Sequence, residues 1–295
     1  MTTISKRAPV TARTAGSRRA VRRGAARAGL YTGLTAGAIF AGFPVLWMLS
    51  SSFKSNADIF AYPPKLFDGS FSFAPYLAVF SDPVEIGYFA NSYIVALSVT
   101  VVTLVVALLT GYVFSRYEFP LKRAISIVII GVQAVPPMTL LIPFFGIMVA
   151  LGLYNTYQGL ILTYVVFTLP YAVIMMTAYF DSLPKEVDEA AKVDGASSMS
   201  ILWRILVPIS IPGMVSVGLY TFMISWNEYL FALTLTQTDD RRTVPVGIQL
   251  LMGQNNYLWN EVMAMSILGS IPVLVLFLIF QRYFIGGLAA GAVKS

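Results

Sequence analysis

The residues able to do chemistry are few: 14 Asp and Glu and 20 Lys and Arg in 295 residues, with no His and no Cys. That inventory excludes thiol nucleophiles, disulfides, Cys/His metal sites and imidazole bases together, and leaves carboxylates and hydroxyls. The carboxylates that stand out lie in three places. Asp188, Glu189 and Asp194 belong to the polar segment Asp181 to Pro212, Glu228 follows Asn227 inside an apolar run, and Asp239 and Asp240 precede Arg241 and Arg242. An enzyme embedded in a membrane would need an acid, base or nucleophile clustered near one face, whereas the densest group of acids, five of the 14, falls in the first of these segments. No GxxxxGK[ST] pattern occurs, so ATP hydrolysis is not assigned to this chain. A self-sufficient secondary transporter would call for inverted halves and several buried ionisable groups, and Glu228 alone is thin support for it.

These residues are set among long apolar stretches. The chain is 57% hydrophobic and 12% charged, with mean hydropathy +0.74, against about 25% charged in soluble domains. Six runs qualify as membrane spans: Leu30 to Ser52, Phe89 to Phe114, Ala124 to Ala150, Gly159 to Phe180, Gly213 to Leu235 and Val262 to Gln281. An all-α integral membrane protein follows. The net charge of +6 does not point to nucleic acid, because Lys6, Arg7, Arg13, Arg18, Arg19, Arg22, Arg23 and Arg27 precede the first span. Residues 1–29 are expected as a disordered basic tail against anionic headgroups, and 30–295 as the transmembrane domain. A cytoplasmic amino terminus leaves only Lys54, Lys65, Arg241 and Arg242 outside, so the positive-inside rule places both termini in the cytoplasm.

Proline interrupts several runs, most sharply at Val135-Pro136-Pro137, where a kink or break is expected; Pro143, Pro170 and Pro272 repeat the theme. Between Phe53 and Tyr88 an external segment broken by Pro63, Pro64, Pro75 and Pro83 reads as an ordered cap.

The connection 181–212 reads DSLPKEVDEAAKVDGASSMSILWRILVPISIP. Leu183, Val187, Ala190 and Ala191 recur at helical spacing opposite Lys185, Asp188, Glu189 and Lys192, and Asp188 and Lys192 stand at i,i+4. Gly195 stops this helix, and Ile201, Leu202, Ile205 and Leu206 begin a second amphipathic stretch ending at Pro208. The alanines leave a shallow surface beside Glu189 that a partner's groove could approach. Periodicity alone favours an amphipathic helix resting on the membrane surface.

At this segment the chain resembles the inner-membrane components of binding-protein-dependent ATP-driven importers. Their signature is Glu-Ala-Ala, three residues, Gly, nine residues, Ile, one residue, Leu-Pro; Glu189-Ala190-Ala191, Gly195, Ile205 and Pro208 match it, with Val207 in place of Leu. Ser225-Trp226-Asn227-Glu228-Tyr229-Leu230, Asn91-Ser92, Tyr117-Glu118-Phe119-Pro120 and the ending Gly286 to Ser295 look like the carbohydrate branch, specifically the shorter six-span permease of maltose-type importers. The resemblance implies a coupling role for Glu189, Ala190, Ala191 and Gly195, with Asp194 as neighbour. It also implies a second permease as heterodimeric partner, two ATP-binding subunits that use ATP and Mg²⁺, and an extracytoplasmic solute-binding protein. No cofactor or metal is expected on this chain, and the location implied is the bacterial cytoplasmic membrane. Glycerol-phosphate and polyols stay open as substrates beside sugars.

Two further groups are candidates. Glu228, roughly 10 Å from the outer end of its run, must face protein or water, because an unpaired charge there costs several kcal/mol. It either lines a solute pathway with Asn91, Gln133 and Asn227 or sits at the interface with the second permease. The outer connection Thr236 to Asn260 carries Asp239, Asp240, Arg241, Arg242 and Tyr257, a mixed polar and aromatic surface suited to contact with the binding protein.

Overall fold

The computed structural model describes the backbone of residues 13–66, 71–253 and 258–292, and the side chains over 26–66, 71–253 and 258–282. Tyr257 lies outside the described residues, as do the side chains of the basic stretch through Arg23 and of Gly286 to Ser295. Every regular element among the described residues is helical. In chain order these are α1 (Arg13–Ser51), α2 (Asn56–Ile59), α3 (Ala74–Ser81), α4 (Pro83–Arg116), α5 (Lys122–Gln133), α6 (Leu141–Ala150), α7 (Tyr157–Ser182), α8 (Glu186–Val193), α9 (Ser198–Ile201), α10 (Val207–Ile209), α11 (Ile211–Asn227), α12 (Leu230–Leu235), α13 (Val244–Gly253) and α14 (Trp259–Ala292). A 3₁₀ turn, Pro137–Leu140, leads into α6, and a π turn, Leu202–Leu206, joins α9 to α10.

Four segments are long and apolar enough to cross a bilayer by themselves: Ala26–Ser51, Pro83–Arg116, Tyr157–Ser182 and Trp259–Arg282. Counting each of two bent pairs as one span gives six, Lys122–Gln133 with Pro137–Ala150 at 95° and Ser198–Ile209 with Ile211–Asn227 at 79°, the second beginning inside the stretch expected as the connection 181–212. The first bend falls at the double proline, where two consecutive amide donors are missing. Pro170 and Pro272, by contrast, lie within continuous helices.

Three boundaries differ from the sequence expectation. The helix of the first span already runs from Arg13, inside the stretch expected as irregular tail, where Ala and Arg are both strong helix formers. The second span starts at Pro83, with Asp82 as its cap accepting from the Val84 amide at 2.8 Å. The run Gly213 to Leu235 is two helices, because α11 ends at Asn227 and Glu228 adopts an extended conformation before α12.

The centre of the molecule is the pair α4 and α7, which run parallel: Tyr157 at the start of α7 meets Asn91 in the third turn of α4, and their last turns meet through Arg116 and Phe180. Thr103 and Thr168 share a buried hydrogen bond of 3.0 Å along the seam. Gly111 lets the two helices close, since a β-carbon there would stand 3.0 Å from Met176 Cβ and from the Thr177 amide nitrogen. α11 crosses α4, with Gly218 against Leu104, and α14 is tied to α11 by the Trp226 indole donating to the Gly269 carbonyl at 2.9 Å. The segment expected as a cap packs around Phe53, whose ring lies 4.3 Å from Phe71, 5.3 Å from Phe73 and 4.9 Å from Tyr76. Most of α1 from Leu30 to Leu49 is exposed and apolar, as a helix surrounded by lipid or by another membrane protein must be.

Gly111→Leu is expected to push α4 from α7 and destabilise the chain by about 1–3 kcal/mol through overpacking. The check is a thermal melt in detergent followed by size exclusion; an unchanged midpoint would show that this contact does not set the helix spacing.

Candidate functional site

The segment singled out by its signature folds as α8, a turn at Gly195 and α9. Gly195 adopts φ +82°, a conformation glycine enters without the β-carbon penalty, and its amide caps the helix through the Lys192 carbonyl at 3.0 Å. Ser197 then caps α9, accepting from the Ser200 amide at 3.3 Å.

The rotation of α8 differs from the one its hydrophobic periodicity gives. Asp188 and Ala191 are buried, with Val187 and Leu183 half-buried, whereas Ala190 points outward with Glu189, Lys192 and Val193. The expected Asp188–Lys192 pair does not form. Asp188 instead pairs with Arg116, the last residue of α4, at 2.8 Å between Nε and Oδ2, and the two side chains are 6% and 5% exposed. The same guanidinium donates from Nη1 to the Phe180 carbonyl at 2.9 Å and from Nη2 to the Leu183 carbonyl at 3.3 Å, both at the carboxyl end of α7. Both carbonyls lie where a helix end runs out of amide donors, and that of Phe180 also accepts from the Leu183 amide at 3.1 Å. Ser115 beside it donates to Asp181 at 2.6 Å, and the Tyr117 hydroxyl to Ser198 at 2.7 Å. Behind Asp188, Ala191 joins a core with Leu108, Tyr112, Met176, Phe180 and Ile201.

Sequence reasoning missed Arg116. Its signal is slight, a single cation two residues beyond Phe114, the last apolar residue of a span, which by itself reads as a side chain reaching for the membrane surface.

The four pathway candidates do not come together as one lining. Asn91 is buried and used structurally: it donates to the Arg242 carbonyl at 2.8 Å and accepts from the Tyr157 hydroxyl at 2.6 Å. Gln133 is exposed at the end of α5, just before the double proline. Asn227 is exposed at the end of α11, donates back to the Met223 carbonyl at 2.8 Å, and lines a cavity of about 810 Å³ with Trp226, Tyr229, Gln249, Val45 and Leu49. Glu228 is half-buried, and both of its carboxylate oxygens find partners within the chain. Its Oε1 accepts from the Phe231 amide at 2.9 Å, and its Oε2 from the Ala232 amide at 3.0 Å and the Tyr164 hydroxyl at 2.6 Å. It is the cap that starts α12 and the bolt that holds the break against α7, a charged acceptor at a positive helix end.

The connection that follows α12 is held just as firmly. Asp239 accepts from the Tyr88 hydroxyl at 3.0 Å and from Arg242, Asp240 pairs with Arg241 at 3.1 Å, and the Arg241 guanidinium lies 4.6 Å from the centre of the Tyr157 ring. Asn155, at φ +56°, accepts from the Gln237 amide at 2.8 Å. All four charged residues keep part of their side chains in solvent, Asp240 most at 65%. Among the described residues no three carboxylates cluster so as to hold a metal ion.

The sequence profile of the family described as "Binding-protein-dependent transport system inner membrane component" matches residues 103–287. The chain is 35% identical to the inner membrane ABC transporter permease protein YcjP of Escherichia coli K12 over 93% of its own length and 99% of that protein's. It is 38% identical to the trehalose/maltose transport system permease protein MalG of Thermococcus litoralis, covering 88% of this chain and 93% of that one. Against the sulfoquinovosyl glycerol transport system permease protein SmoH of Agrobacterium fabrum it is 36% identical, covering 86% and 89%. In fold it is similar to a chain of a bacterial ABC transporter involved in the import of the polysaccharide alginate, with TM-score 0.74 at 23% identity over 94% of this chain and all of that one.

Because the Glu228 carboxylate is satisfied within the chain, Glu228→Ala is expected to strand two amides and a phenol and to cost about 1–3 kcal/mol. The loss should appear as a lower melting temperature of the permease purified alone. A normal melt alone, with loss of co-purification of a second permease, would restore the interface role.

Proposed function

The chain belongs to the family of binding-protein-dependent transport system inner membrane components, and on that premise we propose that it is the permease subunit of an ATP-driven importer of carbohydrates or their glycosides. It is a multi-pass membrane protein. With a second permease it would form the pathway, driven by two ATP-binding subunits that hold ATP and Mg²⁺ and fed by an extracytoplasmic binding protein. The lysine and arginine asymmetry supports a bacterial cytoplasmic membrane with both termini inside. The sugar class is drawn from relatives whose names carry trehalose, maltose and sulfoquinovosyl glycerol.

One observation carries the reading: α8 presents Glu189, Ala190, Val193, Asp194 and Gly195 outward, and Val193 is 88% exposed, an apolar side chain without cover on a short polar helix. A face of two small residues and one aliphatic, flanked by two carboxylates, fits a cleft in the ATP-binding subunit. The energy of a closing ATPase dimer would enter there.

Glu189→Lys reverses the charge on that face, and Gly195→Asp puts a β-carbon into a left-handed conformation where no neighbouring atom lies within 4 Å, so the strain is in the backbone itself. Each variant should insert normally and lose uptake of labelled disaccharide by vesicles holding the assembled importer and its binding protein. Uptake at the wild-type rate by either would overturn the coupling role.

The outer connection is proposed to meet the binding protein. As the chain has no cysteine, Asp240→Cys offers a single thiol, which should crosslink to single-cysteine variants of the binding protein; failure across a broad panel would count against the contact.

A further inference from the structure

We infer that Arg116 is a positioning residue for coupling, through which movement of α8 enters the parallel pair α4 and α7 before it reaches α11. The inference rests on the importer reading above and concerns the route of force inside this chain.

Besides residues 183–185, which join α8 directly to the end of α7, two routes lead from α8 into the membrane domain. The covalent one runs through α9, a π turn at Leu202–Leu206, Pro208, the fully buried Ser210 and a 79° bend before α11 begins. A π turn with a sharp bend behind it is compliant, because its backbone hydrogen bonds are already rearranged away from the regular ladder. The other route is a single guanidinium. Arg116 contacts Asp188 in the first turn of α8 at 2.8 Å, the Phe180 carbonyl at 2.9 Å and the Leu183 carbonyl at 3.3 Å, while its own backbone ends α4. Three helix ends therefore meet on one planar cation that cannot lose its charge. With both partners more than nine-tenths buried, sliding α8 away from α4 would separate opposite charges in a medium of low dielectric. The Tyr117–Ser198 hydrogen bond adds a second tie from the end of α4 to the start of α9. Beyond the clamp, the close seam at Gly111 and the Thr103–Thr168 bond make α4 and α7 move as one.

The test is sugar taken up per ATP hydrolysed by the complete importer in proteoliposomes, with its binding protein. Arg116→Met combined with Asp188→Leu removes both charges at similar volume, a change that folded proteins tolerate. This complex should still assemble and hydrolyse ATP, with uptake per ATP lowered about tenfold. Arg116→Lys keeps the charge and loses the fork, and should lower the ratio about threefold. Ile209→Gly, which loosens the covalent route at a half-exposed position, should stay within about twofold of wild type. A wild-type ratio in the doubly apolar complex, or stronger uncoupling by Ile209→Gly than by the charge removal, overturns the inference. If the doubly apolar complex does not assemble, Arg116→Lys decides, and an unchanged ratio there overturns it. A wild-type complex that hydrolyses ATP and moves no sugar would overturn the importer reading itself, and the inference with it.

Discussion

Each interruption of a helix within a bilayer frees amides and carbonyls that lipid cannot satisfy, so the chain must supply partners at the same place or the interruption does not persist. The sites described above are the places where it does so. At the break between α11 and α12, the Glu228 carboxylate takes the two amides that the new helix leaves open. At the end of α7, Arg116 takes the carbonyls of Phe180 and Leu183. At the double proline, Thr139 donates from its hydroxyl back to the Pro136 carbonyl at 2.7 Å. In the outer turn, Asn91 and Asn155 bind backbone groups of the 237–242 segment. Charged and amide side chains thus mark irregular backbone, and their chemistry follows the sign of the group exposed: acceptors where amides are free, donors where carbonyls are.

That rule explains which parts of the molecule were legible in the sequence. The spans and the bend at Pro136-Pro137 follow from composition and from missing donors, both local properties. The signature from Glu189 to Pro208 was also local, and it located α8 and the turn at Gly195. The partners of buried polar groups were not legible, because Asp188 meets Arg116 and Glu228 meets Tyr164 across long stretches of sequence. Nothing in the spacing of either pair announces the contact. Glu228 in particular reads as a charge within a continuous helix, where it would need an external partner or water. Once the helix is seen to stop at Asn227, the same residue becomes a cap with partners in its own chain.

The rotation of α8 shows why the missed pair matters more than its size suggests. Asp188 and Glu189 are consecutive, so a helix turns them about 100° apart, and only one can face inward. Hydrophobic burial is a weak guide for an eight-residue helix whose apolar side chains are two alanines and two valines. Exchanging Ala190 for Ala191 at the core face would change the buried apolar surface by little more than a methyl group, worth about 0.8 kcal/mol. Leaving Arg116 buried without Asp188 would cost about 3–5 kcal/mol. The ion pair therefore decides the rotation, and with it which residues are presented outward. Stability alone is a poor reason for such a pair, since well-packed apolar side chains often do as well. Its geometric consequence is a better one: with Asp188 fixed inward, Glu189, Ala190 and Val193 have no choice but to form the exposed face.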